Sequence, residues 1–94
     1  MRVASVTIPE LIGQLQQARE HLDQAKAMVR ATLEELGKAE ALIQYSLGSS
    51  AGPTMQPAAR SRQHVTGAGQ AMNETTHKIE EWIAKIEGRP IPGK

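Results

Sequence analysis

Large apolar side chains recur along residues 8–47 in alternating steps of three and four, the spacing of a helix that packs against another helix. Along this stripe a large residue stands at every seventh position from Ile8 to Ile43. From residue 18 onward the positions between them carry smaller residues: Ala18, Ala25, Thr32 and Ala39. A second stripe of the same kind runs through residues 65–86, with Ala68 and Thr75 as its small members. The pattern predicts two long helices that are joined along their apolar stripes.

Local signals predict where these helices begin and end. Thr7 and Glu10 have the spacing of an N-terminal capping box, and Gly48 and Gly88 are placed as C-terminal caps. The loop is recognised by its Gly, Ser and Pro content. We therefore predict a first helix over about 8–47, a loop over 48–56, a second helix over about 57–87 and an irregular tail over 88–94.

The loop joins the two stripes as a hairpin, and pairing large with small residues gives a register. This register puts Val29 opposite Thr75. At the open end it puts Leu22 opposite Trp82, whose indole either caps the hairpin or anchors a partner. The predicted fold class is all-α: a two-helix antiparallel coiled-coil hairpin that forms one domain over residues 1–94.

Glycines interrupt both predicted helices at facing positions. The register sets Gly37 opposite Gly67, beside Gly69. Interior glycines cost about 1 kcal/mol each relative to alanine. They are either tolerated weak positions or a narrow waist at which two backbones approach closely.

Further apolar side chains lie beside the paired stripes or beyond the end of the shorter second helix. A single hairpin buries one seam only, which conformational entropy easily offsets. We therefore predict a homodimer that forms a four-helix bundle, or a heterodimer with a similar hairpin; a monomer is the alternative. The predicted interface consists of Ile8, Leu11, Ile12, Leu15, Met28, Leu33, Leu42, Tyr45 and Trp82.

Composition narrows the chemistry. The 94 residues include no cysteine and no phenylalanine, one tryptophan and one tyrosine, and the net charge is +1. Disulfides and thiolate metal sites are therefore excluded, and the near-neutral charge gives no reason to expect nucleic acid as a partner. No apolar run reaches the roughly 18 residues of a membrane span, and no signal peptide is expected.

The polar residues do not form a catalytic pattern. The histidines do not have metal-ligand spacing, and the paired carboxylates are adjacent in sequence and so point to different sides of a helix. The residues concerned are His21, His64, His77, Glu34, Glu35, Glu80 and Glu81. We predict no enzymatic activity, no cofactor and no small-molecule substrate.

The architecture resembles the Trp-Xaa-Gly helical hairpins exported by type VII secretion, and the N-terminal hairpins of actinobacterial polymorphic toxins. The resemblance lies in residues 22–36, in Leu47-Gly-Ser-Ser50 and in Pro53. The loop carries Tyr45-Ser-Leu-Gly48 in place of Trp-Xaa-Gly, and Ile86 follows Trp82 where the export signal has an acidic residue. The resemblance implies a helical hairpin that dimerises.

Together these features predict a non-enzymatic interaction module, linked through the resemblance to type VII-like secretion or toxin delivery. A cytoplasmic structural or regulatory coiled-coil component, including a phage-encoded one, is the alternative. A nucleic-acid-binding regulator is a more distant alternative. The expected location is the cytoplasm, with leaderless export as the second expectation.

Overall fold

The computed structural model describes residues 7–89, which form two long helices packed against each other. Helix α1 spans Ile8–Leu47 and helix α2 spans Gly52–Glu87. A single 3₁₀ turn, Gly48–Ser50, and Ala51 connect them. No strand occurs within the described range, so the predicted all-α helical hairpin is confirmed. Most of the predicted tail, residues 90–94, lies outside the described residues.

The start of α1 forms the predicted capping box. The backbone N–H of Glu10 donates to Oγ1 of Thr7 at 3.3 Å, and the backbone N–H of Thr7 donates to Oε1 of Glu10 at 3.0 Å. Two N–H groups that lack partners within the helix are thereby satisfied. The pKa of Glu10 is lowered first by the hydrogen bond from the backbone N–H of Thr7 and then by one that the Thr7 hydroxyl donates to the same Oε1 at 3.0 Å.

The connection between the helices is shorter than predicted. Helix α1 ends as expected at Leu47, and Gly48 follows with a φ of +53°. Helix α2, however, begins at Gly52 rather than near Pro57, and the N–H of Met55 already donates to the carbonyl of Ala51 at 2.8 Å. Pro57 therefore lies inside α2, where it has no N–H to donate and crowds the carbonyl of Pro53, and the helix continues through it.

The end of α2 is closed by a Schellman motif. Gly88 has a φ of +73°, which glycine adopts without steric cost. The N–H of Arg89 donates to the carbonyl of Ala84 at 2.8 Å, and that of Gly88 donates to the carbonyl of Lys85 at 3.3 Å. These are the two bonds that define the motif, and they satisfy carbonyls that the helix itself leaves open.

Half-buried positions follow both helices in steps of three and four. On α1 they include Ile12, Leu15, Arg19, Leu22, Lys26, Val29, Leu33, Leu36, Glu40 and Ile43, and on α2 Met55, Ala58, Arg62, Val65, Gly69, Met72, Thr76, Ile79 and Ile86, with Ile83 fully buried between the last two. The predicted large residues from Leu15 onward are among them. The predicted small partners Ala18, Thr32, Ala39, Ala68 and Thr75 are instead exposed.

The predicted register is also wrong. A Cβ atom on Gly69 would lie 3.2 Å from Cγ1 of Val29, so Gly69 occupies the place predicted for Thr75. Because the connection is short and ends at Ala51, residues of α1 meet earlier residues of α2 than the predicted loop allowed. For the same reason the helices differ less in length than predicted, with 40 and 36 residues.

The chain divides into two compact units. The loop unit comprises Lys26–Ala71, and the end unit comprises the described residues up to Ala25 and from Met72 onward. In the loop unit Ala51 is buried, and in the end unit Ile83 and Ala84 are buried. All other described residues are at least partly exposed. The hydrophobic core is therefore thin, as expected for helices that share a single seam.

Candidate functional site

An arginine–glutamate pair crosses the seam of the loop unit. Nη2 of Arg62 donates to Oε1 of Glu40 at 2.6 Å, and its Nε donates to Oε2 at 3.2 Å. This two-pronged contact with the guanidinium lowers the pKa of Glu40 and raises that of Arg62. Gly37 lies beside the pair, with Nη2 of Arg62 3.6 Å from where its Cβ would be. A planar fork facing a carboxylate has a fixed geometry, so the pair holds this stretch of the two helices in register.

The end unit carries weaker polar contacts. Nη1 of Arg19 lies 3.9 Å from Oε2 of Glu80, across the two helices. Along α2, Nε2 of His77 lies 3.1 Å from Oε2 of Glu81. The hydroxyl of Thr76 is buried without a hydrogen-bond partner. These groups are adjacent to the seam and do not converge on a cleft.

Trp82 projects from the outer surface of α2 instead of capping the hairpin. Trp82 is 58% exposed. The next residue, Ile83, is buried in the seam instead of Trp82. Nζ of Lys85 lies 5.3 Å from the centre of the indole ring, within the range of a cation–π contact. With Lys78 and Glu81 these two side chains line a shallow groove of about 220 Å³. One helix supplies all four side chains, so the groove is open.

The predicted interface residues fall into two groups. Ile8, Leu11, Met28, Leu42, Tyr45 and Trp82 are exposed. Ile12, Leu15 and Leu33 are half-buried instead and share the spacing of the seam positions. Sequence spacing alone could not separate the exposed from the half-buried residues. The predicted register placed small residues such as Thr32 in the seam, where the structure has Leu33.

The largest exposed apolar side chains of the loop unit lie on one face of α1. Tyr45 is 89% exposed, Met28 is 68% exposed and Leu42 is 66% exposed. With Ala31, Glu35 and Lys38 they continue in steps of three and four, and we call these six exposed residues the outer stripe. Nζ of Lys38 lies 3.2 Å from Oε2 of Glu35 in the middle of the stripe. Its three large apolar members belong to the predicted interface, whereas Ala31, Glu35 and Lys38 do not.

The described residues offer no assembled metal site. Within residues 7–89, His, Asp and Glu side chains do not gather in groups of three or more that could hold a metal ion. His77 is engaged with Glu81 as described, one turn apart on the same helix. Within the same range neither helix is long and apolar enough to cross a membrane.

Comparisons with protein families, curated proteins and solved structures found no match.

Proposed function

We propose that this chain is a non-enzymatic interaction module whose hairpins associate with one another through the outer surface of α1. The observation that carries the proposal is the exposure of Met28, Leu42 and Tyr45 on one helix face. Burying a side chain of this size contributes about 1.5–3 kcal/mol. In a hairpin with so thin a core, covering these three side chains would add substantially to stability.

A homodimer is the simplest assembly that covers this face, because most soluble oligomers are symmetric. The two hairpins of such a dimer together supply four helices, with the two copies of α1 in contact at the centre. A carrier in type VII-like secretion and a cytoplasmic assembly component both belong to this class of module. In either role the proposed contact surface is the outer face of α1.

The proposal is tested by sedimentation velocity and circular dichroism on the wild type, Leu42→Glu and Gln44→Glu. Both variants introduce one carboxylate in the same turn of α1, but only Leu42 belongs to the outer stripe; Gln44 is an exposed polar residue. We expect the wild type to sediment as a dimer at high concentration, Leu42→Glu to sediment as a monomer with a lower Tm, and Gln44→Glu to match the wild type. A wild type that remains monomeric up to about 1 mM, with a Tm equal to that of Leu42→Glu, would overturn the proposal.

A further inference from the structure

The outer stripe has a chemical symmetry that its apolar content alone does not require. Its residues, in chain order, are Met28, Ala31, Glu35, Lys38, Leu42 and Tyr45. When the stripe is read in the opposite direction, Met28 and Tyr45, both large, exchange places. The small Ala31 and the large Leu42 also exchange places. Glu35 likewise changes places with Lys38. When two copies of the stripe are placed antiparallel, Glu35 of one copy therefore faces Lys38 of the other.

From this arrangement we infer that two copies of the chain pack their outer stripes antiparallel about a two-fold axis that passes between Glu35 and Lys38. The inference rests on the proposed self-association and specifies its geometry. Each contact then occurs twice, as a two-fold interface requires. The facing pairs are Met28 with Tyr45, Ala31 with Leu42, and Glu35 with Lys38, each residue meeting its counterpart in the second copy.

The apolar layers of this arrangement are complementary in size. Ala31 leaves room for Leu42 of the second copy, so the helices approach closely on both sides of the axis. The thioether of Met28 meets the ring of Tyr45, and contacts between sulfur and an aromatic ring are favourable. Steps of three and four keep the stripe on one side of α1 over its whole length.

The charges select the antiparallel direction. In a parallel dimer Glu35 would face Glu35 and Lys38 would face Lys38, so both central layers would be repulsive. In the antiparallel dimer each of these residues keeps its neighbour at 3.2 Å within the chain and gains a second opposite charge from the other copy. Charged groups within such a seam reduce its stability but specify its direction and register.

The length of the stripe sets the expected strength. From Met28 to Tyr45 it extends about 26 Å along the helix axis at 1.5 Å per residue. Six positions per copy form a small interface, of the size found in weak or transient association. We therefore expect a dimer that forms reversibly with concentration.

Charge reversal tests the pairing. Glu35→Lys places four lysines at the centre of the dimer and Lys38→Glu places four glutamates there, so each variant alone should lose at least tenfold in dimer affinity. An equimolar mixture of the two should form a heterodimer, and the double exchange Glu35→Lys/Lys38→Glu should recover the wild-type affinity. Because each single reversal gathers four like charges whichever way the helices run, this experiment tests whether positions 35 and 38 lie in the interface, and cross-linking decides the direction.

Cross-linking tests the direction independently, because the chain contains no cysteine of its own. A mixture of Met28→Cys and Tyr45→Cys should yield a disulfide between the two variants on mild oxidation. Met28→Cys alone should not, because the two copies of position 28 would lie about 26 Å apart. The product is identified by mass spectrometry of the linked peptides.

These results separate the inference from the proposed function. Suppose that Leu42→Glu disrupts the wild-type dimer, but that cysteines at position 28 link to each other or that charge reversal does not change the dimer affinity. This result would overturn the antiparallel geometry and leave self-association standing. A wild type that is monomeric under all conditions would overturn both. A disulfide between positions 28 and 45, together with recovery by the double exchange, would support both.

Discussion

Gly67 and Gly69 are separated by a single residue but have different surroundings. A Cβ atom on Gly67 would meet nothing within 4 Å, whereas one on Gly69 would lie 3.2 Å from Cγ1 of Val29. A close approach between the helices therefore exists at Gly69 and does not involve Gly67. The predicted facing of Gly37 with Gly67 is wrong, because the side chain of Arg62 lies beside Gly37.

Replacing each of these two glycines with alanine should produce unequal gains in stability. Gly67→Ala should raise the free energy of unfolding by about 1 kcal/mol, because alanine has the higher helix propensity and the position is open. Gly69→Ala should gain less or lose stability, since Val29 must shift to admit the new methyl group. Urea denaturation at one fixed protein concentration measures both.

Val29 provides the control for this comparison. In a Val29→Ala background the close contact is absent, so Gly69→Ala should recover a stabilisation similar to that of Gly67→Ala. Equal effects of the two glycine substitutions in the wild-type background would show that Gly69 is not at a close approach.

Among the elements, α1 illustrates how local signals set helix boundaries. Its capping box uses two side chains, Thr7 and Glu10, to satisfy backbone donors of the first turn. An acidic residue at this end also interacts favourably with the positive end of the helix dipole. The start of α2 has no acidic residue in its first turn and contains Pro53, which has no N–H to satisfy.

Removing the cap hydroxyl should destabilise α1 from its start. Thr7→Ala should lower the free energy of unfolding by about 1 kcal/mol, the usual contribution of such a cap. Thr7→Ser keeps the hydroxyl and serves as the matched control, which should remain close to the wild type. Chemical denaturation followed by circular dichroism distinguishes them, and an alanine variant as stable as the serine variant would contradict a structural role for this cap.

On the scale of the whole molecule, the carboxylates of Glu10 and Glu40 couple stability to pH. Both have a pKa below the ordinary value of 4.5, Glu10 through hydrogen bonds from Thr7 and Glu40 through those from Arg62. A depressed pKa in the folded state means that the stabilisation is complete above about pH 4.5 and is lost as the pH falls through the folded value. Acid should therefore loosen the hairpin.

Neutralising Glu40 should remove part of this pH dependence. We expect Glu40→Gln to lower the Tm at pH 7 and to reduce the further fall in Tm between pH 5 and pH 2, because the variant has one fewer carboxylate to protonate. Glu34→Gln, which alters an exposed carboxylate of the same helix, is the control and should retain the wild-type profile. Identical pH profiles for all three proteins would contradict a contribution from the pair.

The sequence predicts the hairpin and most helix ends because apolar spacing and glycine caps are local signals. It does not predict the register, because the seam includes long polar side chains such as Arg62 and Glu40, which are not part of the apolar spacing from which the register is predicted. Arginine can bury its aliphatic stem and keep its charged end hydrated, so its place in a seam cannot be told from hydrophobicity. For the same reason the predicted register places exposed small residues, such as Ala39 and Ala68, in the seam. It also places the exposed Trp82 there.

The Arg62–Glu40 pair has a further consequence for the order of folding. Its two residues are 22 positions apart in the chain, close to the connection between the helices. Contacts across short stretches of chain lose less entropy on closure and form faster than those between distant segments. We therefore expect the Arg62–Glu40 pair to close before the contact of Arg19 with Glu80, so that the register near the connection is set early in folding.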